Sequence, residues 1–436
     1  MVRSAPAVGN RGCVGDDVRH IPDRPPVKVL VVGDSFPWPT ETGGQIRLAT
    51  AVSALSELGD LDLFTFYDKR GPQPSVPSSV RVRRLSVTPY GPITGARSRR
   101  IRWMLTHRTP FDVAVRSSEQ RPRADFEQWV DPAYDLVWFS SARTYEWLGR
   151  PALGPTVVDL IDLEDVKERQ RADLIERRPI SGPLGALKRR LAASIARRNA
   201  TDWQRLQSAV SARVARVVLS SSADVARSGL ENAVAVVNAY PRPDRIDGTR
   251  ADGGEGVTDS PVLVFQGTFD YLPNIDGAQW LVGAILPAIR ELVPGARVRL
   301  VGREARAIRG LDDPPAVTVV GQVDEMGPEL LGADFVLVPL RFGSGTRLKI
   351  LESFAYGVPV VTTSLGAEGL DVDPGVHLLV ADDPLAFADA VARLCQDADL
   401  RRRLGEAGRS RFLERYQSAE AQRAVKALAT ELLGRS

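Results

Sequence analysis

The chain of 436 residues reads as an α/β protein built from two doubly wound, parallel-sheet domains. Three observations predict this. Apolar, β-branched runs alternate with helix-period segments along almost the whole chain. The length suits two domains rather than one. A stretch rich in Pro, Gly and acids, "PRPDRIDGTRADGGEGVTDS" (241–260), has no apolar period and divides the runs into two sets, as a linker does.

Residues 1–26 lack the continuous apolar core of a signal peptide and are expected to form a flexible tail. The first set occupies 27–240. "VKVLVVGDS" (27–35) is a buried strand, followed by a loop, a helix over 48–59 and a strand over 61–67. Further strands are expected at 80–87, 134–140 and 156–162. A polar helical stretch follows over 165–215, then apolar runs at 215–222 and 233–240. The second set starts at 261. Strands are expected at 261–267, 297–302, 317–323, 335–340, 357–363 and 377–381. A helix is expected over 275–292, another after residue 345, and three more over 384–397, 399–410 and 418–434. Two such domains leave a cleft, and ligands of these sheets sit outside the carboxyl ends of the strands.

Composition excludes several classes. A net charge of +3 does not fit a dedicated nucleic-acid binder. Two cysteines, Cys13 and Cys395, far apart in sequence, support neither a disulfide framework nor a thiolate metal site, and fit a reducing cytoplasm. His20, His107 and His377 form no ligand-spaced cluster, so no metal and no cofactor is expected. No apolar run reaches membrane-spanning length.

The densest chemistry lies in "RFGSGTRLKILESF" (341–354), between the apolar runs "FVLVPL" and "GVPVVTT". Gly343 and Gly345 permit positive φ and a close backbone approach to a ligand, with Ser344 and Thr346 adding hydroxyls. The following helix presents unpaired N–H groups and the positive end of its dipole, a ready site for phosphate. Arg347 in the first turn opposes that dipole unless an anion is bound nearby. At about 100° per residue, Leu348, Leu351, Phe354 and Ala355 form the apolar arc, and Lys349 and Glu352 are neighbours at its edge. A carboxylate held there suits a vicinal diol such as a ribose. The plainer reading is a tight strand-to-helix turn with a solvated ion pair.

"GSGTRLKILESFAYGVPVVTTSLGAEGL" (343–370) resembles the donor-binding segment of retaining, nucleotide-sugar glycosyltransferases of the GT-B fold, the large family 4-like group that includes sucrose synthases. The resemblance extends, more loosely, from about residue 27 onwards. It implies a 27–240 acceptor-side domain, a 261–410 nucleotide-sugar domain, and a 411–436 helix packing back on the first domain. It also implies that Glu352, the second acid of a Glu-x7-Glu motif, holds the nucleotide ribose. The first acid of that motif would fall on Ser344, so it is missing. The resemblance further implies an Arg and a Lys after the first strand of the second domain to grip the diphosphate. Here that loop, "GTFDYLPNIDGAQW" (267–280), has no basic residue. Arg347 and Lys349 are therefore expected to take over, neutralising the leaving diphosphate as its charge develops.

Weaker signals point to the same cleft. In "PTETGGQIR" (39–47), Gly43 and Gly44 match the family's glycine loop, although many turns carry such a pair. Gly267 and Thr268 follow a strand, and Asn274 is expected to order their loop by an Asx turn. Where many family members carry a His, "TVVDLIDLED" (156–165) carries Asp162, read either as the group that orients or deprotonates the acceptor hydroxyl or as a helix cap. Gly366 and Glu368 follow another strand, and Glu368 is read as a sugar or base contact or as a loop terminator. Two arginine-dense segments, 95–108 and 186–198, fit anionic lipid headgroups or a lipid-linked acceptor, and more simply solvated arginines. The resulting expectation is a cytoplasmic hexosyltransferase, peripheral at the inner membrane face, moving sugar from a nucleoside diphosphate to a lipid, polysaccharide or small-molecule hydroxyl. The alternatives are a nucleotide-sugar epimerase and a catalytically silent nucleotide-sugar-binding subunit.

Overall fold

The computed structural model describes residues 26–68, 74–90, 103, 109–116, 120–177, 182–243, 259–343 and 345–434. Among the described residues two separate sheets, every strand parallel to its neighbours, form the two domains. The first holds seven strands: β1 (Val27–Val32), β2 (Gly59–Asp68), β3 (Arg84–Tyr90), β4 (Leu136–Phe139), β5 (Thr156–Ile161), β6 (Arg216–Leu219) and β7 (Ala233–Ala235). Their order is β3-β2-β1-β4-β5-β6-β7. The second holds β8 (Val262–Gln266), β9 (Arg297–Val301), β10 (Val317–Gly321), β11 (Phe335–Val338), β12 (Val360–Thr362) and β13 (Leu379–Val380), in the order β10-β9-β8-β11-β12-β13. Strand order reverses between β1 and β4 and again between β8 and β11. These are the switch points where loops diverge and leave a crevice.

The central strands are buried on both faces, which is why they read as continuous apolar runs. β4 and β11 are buried at every residue. One core fills the second domain. Two cores sandwich the first sheet, one on each face. Val425, Leu428 and Ala429, from the last helix Ser418–Leu432, belong to one of these first-domain cores, so the chain ends packed on the domain it began with.

Several boundaries differ from the sequence expectation, each for a local reason. The first helix runs Gly43–Ser56, not 48–59, because Thr42 and Gln45 form a capping box that starts it at the glycine pair. The polar stretch 165–215 is two helices, Glu164–Arg177 and Pro183–Ser211, the second opening at Gly182, whose φ is +82°, with proline in its first turn. The expected 275–292 helix starts at Leu272 and carries a π turn at Leu281–Ile285, bordered by Pro287, which has no amide hydrogen to extend the ladder. The third strand is Arg84–Tyr90 rather than 80–87. The run 233–240 is strand only at Ala233–Ala235, and from there it crosses towards the second domain. Tyr240 marks the crossing. Its amide donates to the Tyr416 carbonyl, so outgoing and returning chains are tied together.

Candidate active site in the interdomain cleft

A cavity of about 820 Å³ lies between the two sets of strand ends. Its first-domain wall includes Glu41, Gly43, Gly44, Ile161, Asp162 and Tyr240. Its second-domain wall includes Gln266, Gly267, Thr268, Asn274, Arg303, Thr346, Arg347, Lys349 and Glu352. Ten of the fifteen residues singled out from sequence therefore line one space: Gly43, Gly44, Asp162, Gly267, Thr268, Asn274, Thr346, Arg347, Lys349 and Glu352. Gly343 and Gly345 sit immediately behind it. Ser344 lies outside the described residues, as does the 95–108 segment apart from Trp103.

The opening loop is shaped by its glycines. Gly343 and Gly345 have φ of +127° and +78°. A β-carbon on Gly345 would lie 1.7 Å from the Asp162 Oδ1, so the first-domain carboxyl rests directly on this backbone. The Gly343 amide donates to Gln170 Oε1 at 2.8 Å, a second contact from the first domain. The Thr346 hydroxyl donates to the Ser220 carbonyl at 3.3 Å. Arg347 is the N-cap residue of the helix Leu348–Ala355 rather than a member of its first turn. Its side chain is buried and one guanidinium nitrogen donates to the Gly345 carbonyl at 2.8 Å. That bond folds the cation back over its own loop, at the helix N-terminus where anions bind.

Lys349 and Glu352 do not form the simple pair that their spacing allows. The Lys349 ammonium donates to Asn274 Oδ1 at 2.7 Å and sits 4.3 Å from the centre of the Phe265 ring. Gly267 leaves room for it, since a β-carbon there would lie 3.0 Å from Nζ. Burial lowers the amine to about 7, Arg347 adds to the fall, and Glu352 opposes it. The charge thus stands over the 267–280 loop, which carries no cation of its own. Asn274 does order that loop, but through its amide donating to the Thr268 carbonyl at 2.9 Å, back from the first turn of the helix Leu272–Trp280, rather than by an Asx turn. Glu352 is reached from the crossing between domains: the Tyr240 hydroxyl donates to its Oε1 at 2.6 Å. Burial raises the Glu352 carboxyl, against the Tyr240 and Gln266 hydrogen bonds and Lys349.

Across the cavity, β5 ends in a bulge with Ile161 at φ +62°. Asp159 holds this turn. Its Oδ1 accepts from the Ile161 amide, and its Oδ2 meets Arg47 at 2.6 Å. The turn aims Asp162 into the cleft. Burial raises its carboxyl to about 6, with Glu164 and Asp224 adding, and Lys167 and Arg347 opposing. Beside it, burial alone would raise Glu164, but Arg143 and Lys167 bring it down to about 2. Lys167 also lies 5.7 Å from the ring centre of Tyr271, across the cleft. The mouth carries a further bridge between domains, Arg303 to Glu41 at 2.5 Å.

Two expected contacts lie elsewhere. Gly366 is buried under the Thr362 hydroxyl, where a β-carbon would come within 2.0 Å, and Glu368 is ion-paired with Arg227 of the first domain. Neither lines the cavity. Gly43 faces the Leu348 side chain, with 2.5 Å left for a β-carbon, so it also serves domain packing, while Gly44 faces open space. Tyr240, Gln266, Arg303, Lys167 and Tyr271 were not singled out from sequence. Tyr240 and Gln266 each end an apolar run, "AVAVVNAY" and "PVLVFQ", which was the available signal. Among the described residues, no group of three or more His, Cys, Asp or Glu side chains is placed to hold a metal ion.

Comparison with known proteins agrees with this architecture. Residues 260–397 match the family model described as "Glycosyl transferases group 1". The chain is similar to the D-inositol 3-phosphate glycosyltransferase of Corynebacterium jeikeium, 36% identical over 115 residues, covering 25% of this chain and 26% of that protein. It is also similar to an uncharacterized 44.6 kDa protein in the cps region of Klebsiella pneumoniae, 24% identical over 135 residues, covering 29% and 35%. The chain thus spans about a third or less of the length of the curated relatives it matches. Solved structures match nearly end to end. Sucrose-phosphate synthase from Thermosynechococcus elongatus superposes with a TM-score of 0.63 at 19% identity, covering 94% of this chain and all of that one. Anabaena Alr3699/HepE, solved in complex with UDP and glucose, gives 0.59 at 15% over the same shares. At these identities the likeness establishes the fold, which is GT-B.

Proposed function

From a chain that has the GT-B fold and carries a glycosyl transferases group 1 domain at residues 260–397, we propose a glycosyltransferase that moves a hexosyl group from a nucleoside-diphosphate sugar to an acceptor hydroxyl, with retention. The observation that carries this reading is the shared cavity. One wall combines the Glu352 carboxylate, the Arg347 and Lys349 cations and a helix N-terminus, and the opposite wall presents the Asp162 carboxyl with a raised pKa. The complexes of HepE with UDP and glucose support the same class of donor.

Glu352, held by Tyr240 through one oxygen, accepts the ribose diol. The diphosphate lies against the Leu348 and Lys349 amides, which face no preceding helical turn, and between the Arg347 and Lys349 charges. As the bond from anomeric carbon to phosphate oxygen lengthens, negative charge grows on the diphosphate. Cations already fixed at that point stabilise it without reorganising. The anion also returns the Lys349 amine to its charged ammonium form. The acceptor hydroxyl enters from the first-domain side and reaches the anomeric carbon from the face the diphosphate leaves. Asp162 accepts a hydrogen bond from that hydroxyl and orients it, and as the new bond forms the hydroxyl proton passes to the departing diphosphate oxygen on the same face.

Steady-state release of nucleoside diphosphate, with and without acceptor, tests the proposal. Acceptor-dependent release at a rate well above the hydrolytic background is expected from a panel of UDP-, GDP-, ADP- and dTDP-sugars. Conversion of donor without acceptor would replace the proposal with an epimerase. Donor binding with neither outcome would leave a silent binding subunit.

A further inference from the structure

The helix Pro183–Ser211 carries a feature that the cleft does not use. Its buried face starts at Ala193, Ala196 and Ala200 and continues through Trp203, Leu206 and Val210, which join a first-domain core. Leu184, Leu187 and Leu191 are 64%, 63% and 59% exposed, and among the described residues few large apolar side chains are so open to solvent. At about 100° per residue these three fall within about 60° of one another, directly opposite the buried alanines. Lys188 and Arg190 are exposed and flank the stripe on either side. Over 182–201, "GPLGALKRRLAASIARRNAT", there are five cations and no acid.

Placement makes this face accessible. The helix runs beside Glu164–Arg177, and Arg197 pairs with Glu176 near the end of that partner at 2.5 Å. Residues 183–192 therefore extend past the end of the partner helix. The same partner supplies Gln170, Asp173, Leu174 and Arg177 to a second interdomain cavity of about 510 Å³, closed from the other side by Trp280 and Arg341. The stripe thus stands at the tip of a helical hairpin that overhangs the cleft.

We propose that the Leu184/Leu187/Leu191 face of this helix docks on an anionic bilayer surface. A stripe of leucines rimmed by cations, on a segment without acids, matches a surface that is apolar just below a layer of negative headgroups. A protein partner of neutral or basic character would leave Lys188 and Arg190 opposed by nothing. The docking is peripheral: among the described residues no helix is long and apolar enough to cross a membrane. The inference stands on this helix alone and does not depend on the reaction in the cleft.

Vesicle flotation of the full chain tests it. Binding is expected to vesicles of equal parts phosphatidylcholine and phosphatidylglycerol, at least tenfold above binding to phosphatidylcholine alone, and to weaken with added salt. The triple variant Leu184→Ser/Leu187→Ser/Leu191→Ser should lose at least tenfold of that binding, with an unchanged melting temperature because the leucines are exposed. The double variant Lys188→Gln/Arg190→Gln should lose several-fold on anionic vesicles only, which keeps the test valid if the triple variant folds poorly. Absence of anionic-vesicle binding by the native chain overturns the proposal. So does equal flotation of the triple variant, or a dimer in size-exclusion chromatography that the triple variant abolishes, since a second copy would then cover the face.

Discussion

Replacing Lys349 with Met should make the protein more stable and nearly inactive at once. The amine is buried beside Phe265 and Arg347, and its pKa falls from the ordinary 10.5 to about 7. At about 1.36 kcal/mol per pKa unit, that gap corresponds to on the order of 4–5 kcal/mol for holding the charged form in the free protein. The side chain lines an open cavity, so solvent screens much of this, and about 1–2 kcal/mol is the working figure. For domains of this size each kcal/mol moves the melting temperature by about 2–4 °C. Lys349→Met should therefore melt a few degrees higher at pH 6–7 by calorimetry. The sign of the pH dependence follows from the proton count. Between about 7 and 10.5 the unfolded lysine is protonated and the native one is not, so native stability from this group rises with pH across that window. The variant lacks that rise. Bound diphosphate supplies the missing counter-charge, so nucleoside diphosphate should raise the melting temperature of the native protein more than that of the variant. Turnover should fall about 10²–10³-fold, the usual cost of removing one group that stabilises developing charge. A variant that keeps turnover and nucleotide response within threefold of the native protein would refute the assignment of Lys349 to the diphosphate.

Glu352→Gln should raise the donor KM about 10–100-fold by weakening charge-assisted bonds to the ribose, with kcat changed less. Tyr240→Phe should act in the same direction by only about 5-fold, the value of one hydrogen bond, since it positions Glu352 without being needed to accept the diol. For Asp162, the profile of kcat/KM against pH should show an acidic limb near 6, where the carboxyl titrates, and Asp162→Asn should flatten that limb while lowering the rate. Because the native Asp162 holds a proton between about 4 and 6 that the unfolded chain releases, native stability from this group falls as pH rises through that window. Urea unfolding at stepped pH should show Asp162→Asn losing this fall.

The fold was legible because its signals are local. Strands buried on both faces must be continuous apolar runs, and helices between them must show a 3.6 period. The helix Leu348–Ala355, its glycine loop and Glu352 could be placed from spacing alone, since a strand end, a turn and a helix start lie within a dozen residues. The first helix was expected to start five residues late because two glycines argue against a helix interior, while the Thr42–Gln45 capping box that overrides them is a side-chain event. Gly366 and Glu368 were placed near the ligand because they also follow a strand. Sequence distance does not reveal that the Thr362 hydroxyl fills the space at one and that Arg227 claims the other.

By itself the amino-acid sequence determined two α/β domains and which loop carries the bare backbone, cations and acid. Those properties depend on residues close together in the chain. Only the tertiary structure decided the partners: Lys349 turned to Asn274, Glu352 held by Tyr240 at the domain crossing, and Asp162 laid on Gly345 from across the cleft. Each joins residues more than seventy positions apart. Such pairs are set by how two packed sheets face one another, and no local period records that.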